Sequence, residues 1–406
     1  MLGFFGYGPQ LPAAVPGRFA QSAYVWQRSW TKPLQDAVIE QHTNFAGFVL
    51  LHAEVQWVRG QPKVFRVPLD FGLLREAHVQ CGLALRVGPY GGPFASNNPV
   101  MVQLTELAAS LVKEAQTNGV TPTELQIDFD CAESKLAGYR EWIMALRRKL
   151  APLPVALTAL PTWLKQTAFR ELASSADGFV LQVHSLDRPR GIDAPFTLCD
   201  PQKARAAVRQ AGELGLPFRV ALPTYGYVLA FTADGKFVGL SAEGPSLNWP
   251  KGTLQRKVNA NPAELSQLIA EWSNHPPAHC RGVIWYRLPI AGENLNWPRA
   301  TLSMVMSGRS PSVSLRLEAR RSGALVEVDW VNAGGAVKTG AVAVRARWQQ
   351  GALLAGDGLH GFVLSESSSN SARFINQSVR LRPDERQQVG WLRFNQETEV
   401  ELEFER

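Results

Sequence analysis

The stretch LQIDFDCAESKL, residues 125–136, decides how the chain reads. Leu125, Ile127 and Phe129 alternate with Gln126, Asp128 and Asp130, the period of two that marks a β-strand with unlike surroundings on its two faces. One face is apolar. The other carries two carboxylates at successive positions, which is costly in a dry core and tolerable where solvent, hydrogen bonds or cations compensate the charge. In a closed barrel of parallel strands that place is the C-terminal mouth, since one face of each strand looks to the axis and the other packs on helices.

Seven further runs rich in Val, Leu, Phe and Tyr support the same architecture: AYVWQR (23–28), FAGFVLLHAEV (45–55), LALRVGPY (83–90), PVALTALP (154–161), GFVLQVHS (178–185), PFRVALPTYGY (217–227) and GVIWYRLP (282–289). Helical stretches separate them. Leu104, Leu107, Ala108 and Leu111 recur at helical spacing ahead of Gly119, Leu136, Tyr139, Ile143 and Leu146 form another apolar stripe, and Asp200 stands as a cap before Pro201. Strand then helix, about eight times over, predicts an α/β fold, a (β/α)8 TIM barrel over residues 23–309 preceded by an N-terminal extension, 1–22. An open doubly wound sheet fits less well, because no Gly-rich phosphate loop follows the first strand. Near SGRSPS (307–312) helical periodicity gives way to alternation in SVSLRLEA, LVEVDWV, AVAVRARW, VGWLRF and EVELEFE. Residues 310–406 therefore read as a small all-β sandwich of immunoglobulin or fibronectin size, a prop for the barrel rather than a second binding module.

Composition narrows the function. The net charge of +7 favours an anionic partner, but the basic and acidic residues beyond residue 310 balance, and the excess before it is scattered. Without a basic stripe interleaved with aromatics, nucleic-acid binding is not expected. No uninterrupted apolar run is long enough for a membrane-spanning helix. The start, MLGFFGYGPQLPAAVPGRF, has no Lys or Arg before Arg18 and makes a poor signal peptide, so an envelope or secreted location requires a processed start and the alternative is the cytoplasm. Cys81, Cys131, Cys199 and Cys280 are too far apart for zinc-ligand spacing and read as structural thiols; Cys131 and Cys199, each following a candidate site strand, are the pair to watch. No cofactor motif is present, and no GxSxG. His184 with Asp128 and Asp130 could ligate a metal, but both carboxylates have a better use, and no metal is expected.

The other strand ends converge on a site. Trp26 and Arg28 close the first strand, His52 and Glu54 the second, Arg86 the third, Gln182 and His184 the sixth, Tyr225 and Tyr227 the seventh, Trp285 and Arg287 the eighth. A barrel built only for stability would place Val, Ile or small residues there. Trp and Tyr offer flat apolar faces with a polar edge, which suits the C–H faces of sugar rings, and the 12 Trp in the chain lean the same way. The expected partner is a carbohydrate.

The order LQIDFD, YREWIMALRRKL, VALTALP, DGFVLQVHS, PFRVALPTYGY and GVIWYRLP resembles the second half of chitinase-type glycoside hydrolases. More closely, YVWQRSW, LQIDFDC, TALPTWL, LQVHS, LCDP, ALPTYGY and NW look like a bacterial family known only as a domain of unknown function. The chitinase resemblance implies an acidic motif DxxDxDxE on strand four, a polar strand six and a Trp on strand eight. Matching Asp128 and Asp130 to its two middle acids leaves Leu125 for the first acid and Ala132 for the catalytic Glu, with Glu133 one residue out. Sliding the register by two keeps the inward parity and puts Gln126 and Asp128 in the middle places and Asp130 in that of the acid. His184 stands where a Tyr is expected. The leading expectation is a glycoside hydrolase-like barrel acting on a polysaccharide or oligosaccharide, with Asp130 as acid, Asp128 as its charged partner and Glu54 as a reserve base. Trp26, Gln126, Gln182, His184, Tyr225 and Trp285 join it in holding the substrate, while Arg28, Arg86 and Arg287 pair with the acids or hold an anionic substituent. The alternative is a non-catalytic glycan-binding or envelope scaffold protein with a degenerate site, for which Ala132 speaks.

Overall fold

Eight parallel strands close on themselves in the computed structural model, which describes residues 19–94, 98–185, 187–242 and 249–405. In chain order they are Gln21–Val25, Phe48–Val58, Cys81–Val87, Leu125–Asp128, Val155–Ala159, Gly178–Gln182, Phe218–Pro223 and Cys280–Tyr286, here called barrel strands one to eight. Strand one pairs with both strand two and strand eight, which removes the sheet edges and closes the barrel. The expected TIM barrel is therefore the fold, with helices between successive strands. Three of the helices begin alike. Asn98, Asp200 and Asn261 each accept a hydrogen bond from a backbone N–H of the first turn and are followed by Pro, whose missing N–H costs nothing there.

Strand four shows how the sequence sorts its faces. Leu125, Ile127 and Phe129 are buried against the helical shell, where the Phe129 ring meets Tyr139 edge-on at 5.1 Å and Trp142 at 5.2 Å, both on the helix Leu136–Leu150. Burying a ring of that size contributes about 2–3 kcal/mol. Because the apolar face is fixed there, Gln126 and Asp128 turn to the axis.

Two additions depart from the predicted pattern. Strand two runs on past the mouth and folds back on Gln61–Arg66 as an antiparallel hairpin. TYGY, read as the end of strand seven, lies beyond it: strand seven stops at Pro223, Thr224 and Tyr225 connect, and Gly226–Phe231 is the middle strand of a three-stranded antiparallel sheet between Phe237–Ser241 and Leu254–Asn259. Gly226 is required by close approach, since a Cβ there would sit 2.0 Å from Asn259 Oδ1.

The chain divides into two units at Asn296 and Trp297. The second holds the helix Arg299–Met306 and two four-stranded antiparallel sheets, one ordered Leu315–Ser322, Leu325–Asn332, Arg386–Phe394, Leu353–Gly358 and the other Val363–Ser367, Ser371–Leu381, Lys338–Arg347, Glu401–Phe404. Trp330, Val344, Phe374 and Leu392 from both sheets form its core. No helix among the described residues is long and apolar enough to cross a membrane.

Candidate active site at the C-terminal mouth of the barrel

Residues opposite one another on neighbouring strands share a face, so register decides which groups meet. Leu51 lies beside Ala84 and Ala84 beside Gln126; nearer the mouth, Glu54 lies beside Arg86 and Arg86 beside Asp128. Strict alternation would give Leu51 and Glu54 opposite faces. A β-bulge at His52 inserts one residue into strand two and reverses its parity. Glu54 consequently faces the axis with Arg86, while the buried His52 ring sets Nδ1 3.0 Å from the Val67 carbonyl and its edge against Phe71.

The outcome is a chain of charges across the mouth. Arg28 donates to Glu54 twice, Nε to Oε2 at 2.7 Å and a terminal nitrogen to Oε1 at 2.9 Å. Arg86 reaches the same carboxylate at 3.4 Å and Asp128 at 3.7 Å, and the Thr158 hydroxyl donates to Asp128 at 2.9 Å. Asp130, just past the strand, accepts a long contact of 3.4 Å from the Gln182 amide. Thr158 was not among the expected site residues. The register that pairs Leu157 with Ile127 is what brings Thr158 beside Asp128, and sequence alone does not give it.

Beneath this layer the polar groups are closed off. Gln126 is fully buried, accepts from the Tyr24 hydroxyl at 2.7 Å and donates to Glu124, whose carboxylate pairs with Arg219 at 2.7 Å. It is thus a floor for the site, and its expected contact with substrate is corrected on that ground.

Strands six to eight supply an aromatic wall. His184 is buried, stacks on Tyr286 at 5.8 Å and shares a hydrogen bond of 3.3 Å with the Tyr225 hydroxyl, which meets the Tyr227 hydroxyl at 3.0 Å; Ser185 continues the chain beyond Tyr227. Trp285, expected at the mouth, points the other way: it is fully buried and its Nε1 donates to Gln21 Oε1 at 2.9 Å. Tyr286 takes the inward place, edge-on to Tyr24, Trp26 and Tyr225. Trp26 is also buried, within the aromatic cluster, and Arg287 is buried with Glu293 at 2.5 Å. Of the expected residues, Arg28, Arg86 and Asp130 are exposed, Asp128 and Gln182 are half-buried, and the rest lie behind them.

Burial is the largest influence on the proton affinities of the site. Burial pushes Asp128 above the usual carboxylate range, against the pull of Arg86 and Thr158. Asp130 is raised to about 6, first by loss of solvation amid the surrounding protein and then by the charge of Asp128, although part of its side chain reaches solvent. His184 is brought down to about 4 by burial and is neutral at ordinary pH. The four cysteines are free thiols, and burial pushes Cys131 and Cys199 up to about 12, which disfavours their thiolates. Among the described residues no group of three His, Cys, Asp or Glu is placed to hold a metal.

Residues 94–291 match the family described as Domain of unknown function (DUF3142). No curated protein matches the chain. Among solved structures it is similar to a chitinase from Chromobacterium violaceum, at 14% identity and TM-score 0.50 over 71% of this chain and 98% of that one. It is similar as well to the spore cortex-lytic enzyme SleL of Bacillus megaterium, at 13% identity and TM-score 0.51 over 73% of this chain and 75% of that one. SleL of Bacillus cereus aligns at 11% identity and TM-score 0.51 over 74% and 76%. These likenesses show a shared barrel fold.

Proposed function

We propose that the protein is a glycoside hydrolase acting on a polysaccharide or oligosaccharide, with Asp130 as the acid and Asp128 as its charged partner. One observation supports this reading above the rest: two carboxyls on alternate residues at the end of strand four, both raised by burial, occupy unlike settings, Asp128 held by Thr158 and Arg86 and Asp130, just past the strand, reaching solvent. The depth of Gln126 and Asp128 beneath Asp130 favours the register in which Asp130 takes the place of the chitinase acid.

In the bond-breaking step the Asp130 carboxyl gives its proton to the glycosidic oxygen, the C–O electron pair leaves with that oxygen, and the positive charge left at the anomeric carbon is faced by Asp128. Water then adds to that carbon and returns a proton to the Asp130 carboxylate. Arg86 and Thr158 hold Asp128 in place, and the stacked pair of His184 and Tyr286 supplies a wall with an apolar face and a polar edge. The chitinase and cortex-lytic relatives by shape support the choice of a glycan.

A glycan-binding protein without turnover is the second reading, favoured by Ala132 and by Glu133, which is bound to the Gln166 amide at 2.7 Å. Incubating the protein with a panel of chito-oligosaccharides and bacterial and plant polysaccharides, with products followed by chromatography, separates the two. The hydrolase reading expects cleavage of one substrate, reduced about 10²–10⁴-fold in Asp130→Asn and in Asp128→Asn. Undiminished cleavage in both variants refutes the assigned roles, and affinity without product supports the second reading.

A further inference from the structure

We infer that the glycan is anionic, with a carboxylate on a sugar next to the reacting bond received by Arg86 together with Arg28. The inference rests on the hydrolase-like reading of the site and adds the class of substrate.

Three observations carry it. First, the groups most open to solvent at the mouth are charged: the Arg28 side chain is 51% exposed and that of Arg86 46%, while in the aromatic wall His184 and Tyr225 are buried and Tyr286 is half-buried. Secondly, the two guanidinium groups converge on one carboxylate. Glu54, only 5% exposed, is already satisfied by the two short bonds from Arg28, so Arg86 adds a second cation to an acid that one cation saturates. Thirdly, Arg86 is under-used. A guanidinium has five N–H donors in a planar fork that matches a carboxylate, yet among the described residues its partners are Glu54 at 3.4 Å and Asp128 at 3.7 Å, both longer than a good charge-assisted bond.

The charges are also layered to favour an anion from outside. Glu54 and Asp128 lie beneath, with side chains 5% and 18% exposed, and the guanidinium groups stand between them and solvent. An arriving carboxylate meets the cations first, completes the fork of Arg86, and is placed beside Asp128 and hence beside the scissile bond. Asp130 keeps a proton up to about pH 6 and adds little repulsion in the form in which it acts as acid.

The test is calorimetric titration of the full chain at pH 5 with hexamers of galacturonate, of mannuronate and of hyaluronan, each against its carboxyl-reduced counterpart, with chito-oligosaccharide as the neutral reference. For at least one pair the acidic form is expected to bind about ten-fold or more tightly than the reduced form. Raising the salt should narrow that ratio. Arg86→Gln should bring it to about two-fold or less, and Arg86→Lys should keep part of it. Should Arg86→Gln fail to fold, the wild-type ratio and its salt dependence decide. Equal affinity for acidic and reduced forms, a ratio unchanged in Arg86→Gln, or binding confined to chito-oligosaccharide overturns the inference and leaves the glycan reading standing; absence of binding to every ligand overturns both.

Discussion

Replacing Asp130 by Asn should make the protein more stable at neutral pH and, on the hydrolase reading, lower turnover about 10²–10⁴-fold. The carboxyl has an ordinary value of 3.8 and is raised to about 6 in the fold, so the folded chain holds that proton more tightly than the unfolded one. A carboxyl raised in this way is penalised when it ionises: the penalty is absent below about pH 4, grows as pH rises to about 6, and is complete above that. Two powers of ten in proton affinity correspond to about 3 kcal/mol. The side chain is exposed, so solvent screening reduces this to about 1 kcal/mol. Asn keeps the shape and cannot ionise. Thermal unfolding of wild type and Asp130→Asn, followed by circular dichroism from pH 4 to pH 8, should therefore coincide at the acid end and diverge by about 2 °C in favour of the variant above pH 6. An offset that is the same at every pH, or a variant less stable at pH 8 than wild type, would refute the argument that Asp130 is held in a setting hostile to its charge.

The hydrolase reading gives a matching rate profile: because the acid must carry its proton, kcat/KM should fall as pH rises through about 6, and a profile flat to pH 8 would count against Asp130. Thr158→Val removes a hydrogen bond that favours ionised Asp128, so the acid-side fall in activity should move upward by about half a pH unit or more, read from the same profile. Glu54→Gln leaves Arg28 and Arg86 side by side without their shared anion and should cost about 1–3 kcal/mol in urea unfolding, less than a fully buried pair because both guanidiniums reach solvent. Trp285→Phe loses the bond to Gln21 but should leave glycan affinity as it was, whereas Tyr286→Ala should weaken it, and the reverse order in titration would restore Trp285 to the mouth.

The fold was legible because strand four states its parity aloud. Gln126 and Asp128 cannot face a helical shell, so Leu125, Ile127 and Phe129 must, and one strand so oriented places the rest of a barrel around it. The helix starts at Asp200 and Pro201 were legible for an equally local reason, the match between a side-chain acceptor and unpaired N–H groups. The three-stranded sheet after strand seven was not, since TYGY continues the apolar run of PFRVALP without a polar break. What places Gly226–Phe231 in a new sheet is its pairing with Leu254–Asn259, between residues up to 33 apart.

The site divides along the same line. Strand eight runs Val283, Ile284, Trp285 and Tyr286, apolar on both faces as parallel barrel strands are, and in such a run periodicity carries no parity. Trp285 and Tyr286 are equally plausible at the mouth by composition; only the register that sets Ile284 beside Ala221, and hence inward, decides for Tyr286. In strand two the failure is subtler. His52 and Glu54 share a face by counting, and the bulge separates them, so that Glu54 faces the axis and His52 does not. Both cases rest on the same physics: side chains report the face they occupy only where the two faces differ chemically, and a bulge changes the count without changing the composition. At the mouth Arg28, Glu54, Arg86 and Asp128 meet in one chain of charges, whereas Arg287, expected beside them, is buried with Glu293, and the aromatic place on strand eight falls to Tyr286. That arrangement also bears on substrate. Because Arg28 and Arg86 are the most accessible of these residues, the anionic-glycan reading gives discrimination mainly to ion pairing, strong for the right anion and costly for the wrong charge, while the half-buried Tyr286 offers a stacking face that nearly every sugar ring satisfies.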